Sequence, residues 1–143
     1  LHLARVLLKK GYVNSIYDAF QKYIGETAPA YICGFHLTPY KAIELIRDSG
    51  GISVLAHPYS IRRDDLIPLF IDYGMRGLEV YYPEHTKSMT DYYKGLADKY
   101  SLLITGGSDC HGNAKPEVQL GSIKIPYTLV EKLKQEKARL NEA

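Results

Sequence analysis

Two histidines and an aspartate fall where a folded chain can use them for chemistry. The segment Ser53-Val54-Leu55-Ala56 leads directly into His57 and Pro58, and the run Leu102 to Thr105 leads into Gly106, Gly107, Ser108, Asp109, Cys110, His111 and Gly112. Asp109 and His111 are two residues apart, so continued strand geometry would project both to one face. An oxygen donor and a nitrogen donor together suit zinc, manganese or iron. The flanking glycines let the backbone turn sharply and approach a metal or a phosphate closely. Spacing alone also allows a plainer arrangement, with Asp109 capping a turn, His111 at the surface and His57 bonded to backbone at a loop start.

These residues need elements to hold them. A pattern of short apolar run, polar loop and helix occurs three times, with runs at Ile52 to Ala56, Gly77 to Tyr82 and Leu102 to Thr105. Helices are expected at about Asp64 to Tyr73, where Leu66, Leu69 and Phe70 recur, and at about Thr86 to Tyr100. Buried parallel strands separated by helices predict an α/β barrel or a doubly wound sheet, both of which gather their sites at the C-terminal ends of the strands. Both candidate tips should therefore face one rim. Upstream, Leu1 to Lys10 and a segment capped by Asn14 or Ser15 and stopped by Gly25 predict a helical hairpin. Thr27 to Thr38 reads as an extended linker with room for a short strand. Thr38 and Pro39 open a further helix that runs to Gly50. Val118 to Ile125 reads as an edge strand before a charged helix from Thr128 to Asn141.

Composition narrows the class. Of 143 residues, 45% are hydrophobic and 24% charged, as in an ordinary globular domain. The 18 basic and 16 acidic residues are interspersed, which disfavours a stable complex with nucleic acid. Cys33 and Cys110 are far apart and lack metal-finger spacing, so a reducing, cytoplasmic setting is expected. No apolar run approaches the ~18 residues of a membrane span. The chain begins at Leu1 without an initiator methionine, as a fragment would.

The strings GGISVLAHP, GLEVYYPEHT and LLITGGSDCHG, in this order, resemble the C-terminal motifs of phosphoesterases of the polymerase and histidinol phosphatase (PHP) family. The opening LHLARVLLKKGYVNSIYDAFQKYIG resembles the helical insertion of the branch that acts on small nucleotides. The resemblance implies the C-terminal part of a distorted (β/α)7 barrel with a small helical insertion, divided as residues 1–38 for a substrate-capping segment and 39–143 for the barrel part. It implies two or three divalent ions (Mn, Zn, Fe or Mg) at the rim, with His57, Asp109 and His111 as metal ligands. His2 matches a histidine near the substrate phosphate in relatives. His85 and Lys115 are further candidates for substrate binding, each also readable as an ordinary loop residue. The family's His-X-His and Asp-His motifs, a glutamate and a further histidine do not occur before residue 50, and His36 lies in the linker. Cys110 is expected to pack away from the ligands.

The implied activity is metal-assisted hydrolysis of a phosphomonoester or terminal phosphodiester of a nucleotide or short oligonucleotide. This chain would be an incomplete part of that enzyme, inactive by itself and prone to oligomerise through exposed strand edges. A PHP-derived binding or interaction domain without catalysis, or a nucleotide-binding module, is the alternative.

Overall fold

The computed structural model describes every residue except Phe35, Lys115 and Ala143. The chain divides into two compact units, Leu1–His36 and Leu37–Ala143.

In the first unit, α1 (His2–Lys9) and α2 (Ile16–Ala19) enclose a small core of Ala4, Val13 and Ala19, with Leu7, Ile16 and Ile24 packed around it. Ser15 caps α2 by accepting from the Asp18 amide, while the Asp18 carboxylate accepts from the Asn14 amide. This reciprocal arrangement satisfies donors that the helix start leaves open. Beyond Ala19 the helix loosens into a π turn, Phe20–Ile24, and the Gly25 amide closes it on the Phe20 carbonyl. The linker after Gly25 has no strand among the described residues.

The second unit opens with α3 (Pro39–Asp48). Thr38 caps it by accepting from the Lys41 amide, and Pro39 occupies a first-turn position where its missing N–H costs nothing. Then β1 (Val54–Leu55), α4 (Ile67–Asp72), β2 (Gly77–Tyr81), α5 (Lys87–Lys99), β3 (Leu103–Gly106) and α6 (Thr128–Asn141) follow. The three strands form a parallel sheet in the order β1-β2-β3. The mixed α/β class with a parallel sheet is as expected. β2 is central, and its Leu78 and Val80 are completely buried in a core with Ile67, Met75, Tyr93 and Ala97. Among the described residues β1 and β3 pair only with β2.

Two expectations fail here. Val118 to Ile125 is irregular rather than an edge strand: most of it is exposed, so neither a ladder nor a buried face holds it extended. Strand geometry also stops at Gly106, and Asp109 takes a left-handed backbone with φ 52°. The simple two-residue alternation that would aim Asp109 and His111 together therefore does not apply.

Candidate functional site at the strand ends

The parallel sheet carries His57 and the Asp109–His111 segment to the same end, just past β1 and β3, on either side of the end of β2. A bulge in β2 between Glu79 and Tyr81 sets two residues against one of β3. Gly106 fits opposite because a Cβ there would lie 2.6 Å from the Tyr81 carbonyl oxygen.

His57 sits in a left-handed conformation, φ 33° and ψ 60°, which a non-glycine residue adopts only when its surroundings hold it. Glu79 supplies that hold: its Oε2 accepts from the His57 amide at 2.6 Å. The imidazole Nδ1 lies 2.9 Å from Ser60 Oγ, which leaves Nε2 as the outward nitrogen. At the other tip, His111 Nδ1 donates to the Asp109 carbonyl at 2.6 Å. Because a carbonyl only accepts, this contact puts the proton on Nδ1 and directs the Nε2 lone pair away, the usual way a ligating histidine is oriented. The two side chains are also close, with His111 Nδ1 3.7 Å from Asp109 Oδ1.

Tyr82 joins the tips. Its buried ring lies 5.8 Å from the His57 ring and 5.3 Å from that of His85, and its hydroxyl is 3.4 Å from Asp109 Oδ2. Burial raises the Tyr82 hydroxyl above its ordinary pKa, and the nearby Glu84 and Asp109 carboxylates reinforce this, so it remains a donor. His85 stacks on Tyr93 at 4.9 Å and donates through Nδ1 to the Val80 carbonyl at 2.9 Å. Its Nε2 is buried without a hydrogen-bond partner among the described residues. Tyr93 in turn donates to Asp64, tying the loop after β1 to α5.

The structure thus brings His57, His85, Asp109 and His111 to one end of the sheet. His2 opens α1 in the first unit and is exposed. Lys115 lies outside the described residues. Cys110, expected to pack, is exposed, because the chain has already left the strand and turned outward. Glu79 and Tyr82 also belong to the site, through the His57 amide and the Asp109 carboxylate. The available signal was a lone carboxylate inside the apolar run Gly77–Tyr82.

The donor types, imidazole nitrogen and carboxylate oxygen, suit a divalent transition metal. Among the described residues, however, no group of three or more His, Cys, Asp or Glu side chains is placed to hold one. The described residues present separate imidazole and carboxylate tips rather than a closed site.

No protein-family model matches the sequence. Curated relatives do. The chain is 39% identical over 71 residues to the phosphoribosyl 1,2-cyclic phosphate 1,2-diphosphodiesterase of Eggerthella lenta, a match covering 50% of this chain and 27% of that protein. It is 32% identical to the 3',5'-nucleoside bisphosphate phosphatase of Chromobacterium violaceum, over 77% of this chain and 40% of the relative. It is 30% identical to the 5'-3' exoribonuclease Rnm of Escherichia coli, over 84% and 42% respectively. Among solved structures, a protein described as a metal-dependent phosphoesterase from Bifidobacterium adolescentis superposes with a TM-score of 0.74 at 29% identity, covering 92% of this chain and 48% of that one. An amidohydrolase from Chromobacterium violaceum with bound sulfate and no metal gives 0.69 at 25% identity, covering 94% and 49%.

The curated relatives are hydrolases of phosphate esters, and the α/β fold with its parallel sheet matches the solved neighbours. The homologues of this chain are phosphoesterases of the PHP type. The chain spans less than half the length of each relative it matches.

Proposed function

We propose that this chain is the C-terminal part of a PHP phosphoesterase that hydrolyses a phosphomonoester or terminal phosphodiester of a nucleotide or short oligonucleotide. The observation that supports it best is the shared position of His57 and Asp109–His111 beyond adjacent parallel strands, bridged by Tyr82. His57 and His111 would offer Nε2, and Asp109 a carboxylate oxygen, to divalent ions of the Mn, Zn, Fe or Mg type. When bound, two or three such ions would act as Lewis acids and lower the pKa of bound water. This chain's own part is positioning: Glu79 fixes the His57 backbone, Ser60 and the Asp109 carbonyl orient the two rings, and Tyr82 holds the Asp109 carboxylate. His85, whose buried Nε2 has no hydrogen-bond partner among the described residues, and Lys115 are proposed substrate contacts, as is His2 from the helical segment 1–38, read as a substrate-capping segment. Residues 39–143 would form part of the barrel, its other strands and ligands lying outside this chain.

The named substrates of the relatives, a cyclic phosphate, a nucleoside bisphosphate and RNA, support a small phosphorylated nucleotide as substrate. The sulfate held by one structural neighbour supports an anion-binding function. No helix among the described residues is long and apolar enough to cross a membrane, and a cytoplasmic setting is part of the proposal.

The test is calorimetric titration of the chain with manganese and zinc, beside a His57→Ala, Asp109→Ala variant, followed by assay of the full-length parent on nucleoside bisphosphates and short RNA. Binding lost in the variant and hydrolysis by the parent are expected. A metal-loaded parent without phosphatase or nuclease activity on any nucleotide would overturn the reading. The open edges of β1 and β3 also favour self-association of the isolated chain, to be read by light scattering, where a clean monomer at all concentrations would count against it.

A further inference from the structure

At the opposite end of the sheet, where the strands begin, three arginines from three separate segments line one cavity of about 220 Å³: Arg47 of α3, Arg76 just before β2 and Arg139 of α6. Ser53, 5% exposed, also lines it, its hydroxyl donating to the Gly74 carbonyl at 3.3 Å. The geometry points to a second anion site here, selective for a phosphoryl group and separate from the proposed metal site.

Charge and donor geometry support it. Glu136 takes Arg76 Nη2 at 2.6 Å and Arg139 Nη2 at 2.8 Å on the same oxygen, so one carboxylate serves two guanidinium groups. Arg47 pairs with Asp48 at 3.1 Å, and Lys137 reaches the Gly50 carbonyl at the edge of the same region. Three guanidinium groups thus line the cavity, with the Lys137 ammonium at its edge, against the carboxylates of Glu44, Asp48 and Glu136 that pair with them. Hydrogen bonds and ion pairs engage Nη2 of Arg76, and Nε and Nη2 of Arg47 and Arg139, so each guanidinium keeps N–H groups without a partner among the described residues. A planar carboxylate is fully served by two guanidinium groups, as Glu136 is. A tetrahedral phosphate presents oxygens in several directions and can use three forks converging from different elements. Docking of α6 needs only the Arg76–Glu136 pair, since Arg139 bonds Glu136 within the helix, and among the described residues Arg47 pairs with Glu44 and Asp48 of its own helix and makes no hydrogen bond or ion pair to α6.

The test is calorimetric titration of this chain at low salt, in chelator, with inorganic phosphate and separately with adenosine 5'-monophosphate. Chelator keeps metals from offering phosphate another site. Arg47→Gln is the informative variant, because its side-chain partners are confined to α3; thermal melting should show its fold unchanged. Expected are phosphate binding weakened roughly tenfold by Arg47→Gln, more strongly by Arg47→Gln with Arg76→Gln, and unchanged by His57→Ala. Competition by the nucleotide would identify a phosphate presented on a nucleotide, and its absence a free phosphate ion, either consistent with the site. Lack of phosphate binding, or binding indifferent to Arg47→Gln, would overturn the inference. Binding lost in His57→Ala but not in Arg47→Gln would place the anion at the other strand ends, ending this inference while leaving the phosphoesterase reading intact.

Discussion

Glu79 has the most consequential short contact at the residue scale. A carboxylate accepting at 2.6 Å from the amide of a left-handed His57 both offsets a strained backbone and fixes where the imidazole begins. Glu79→Ala leaves that amide without its acceptor and is expected to lower stability by about 1–3 kcal/mol, read as the urea midpoint. Glu79→Gln keeps an acceptor and should lose less. Because the histidine is released from its geometry in the alanine variant, its metal affinity in calorimetry should fall in parallel with that of His57→Ala. An unchanged affinity would show that Glu79 matters only to folding.

Elements set the next constraint, because the tips converge only if β2 and β3 approach closely across the bulge. Gly106 is the point of closest approach: any Cβ would meet backbone and side-chain atoms of Tyr81 and the side chain of Ile125. Gly106→Ala should cost about 1–3 kcal/mol through overpacking, measurable as a lowered midpoint of thermal unfolding. Thr86, whose hydroxyl accepts from the Met89 amide to start α5, is a milder case. Thr86→Ala should cost about 1 kcal/mol, the ordinary value of an N-cap. The cap lies one residue from His85, so a larger loss would show that the buried His85–Tyr93 stack depends on where α5 begins.

For the molecule as a whole, Glu136 connects α6 to the sheet and makes stability depend on acid. Its hydrogen bonds to Arg139 and Arg76, with their charges, hold its pKa at about 2, below an ordinary 4.5. A folded-state pKa below the unfolded one adds stability that is fully present above pH 4.5 and is lost as pH falls from there toward 2. The guanidinium groups are about half exposed, so after solvent screening the contribution is about 1 kcal/mol. Urea unfolding across that range should show the loss in the native chain, and Glu136→Gln should abolish that part of the pH dependence. Helix α6 thereby closes the end of the sheet on which the proposed phosphoryl site lies.

Much was legible beforehand because it is local. Periodicity gave three strand-and-helix units, Thr38 gave one helix start and the Asn14–Ser15 pair another, of which Ser15 is the cap, and the charged pattern from Thr128 gave α6 at its observed bounds. The histidines and Asp109 were legible as residues that follow apolar runs. Their orientation was not, because it depends on partners far along the chain: Glu79 is 22 residues from His57, and Tyr82 is 27 from Asp109. The same holds for the arginine-lined cavity, whose members at 47, 76 and 139 share no sequence pattern. Sequence by itself determined which chemical groups this protein carries and which strand ends present them, since burial and helix capping act over a few residues. Only the tertiary structure decided the backbone angle of His57, the linking of the tips through Tyr82, and the gathering of three guanidinium groups around one space, because those depend on contacts that chain closure alone creates.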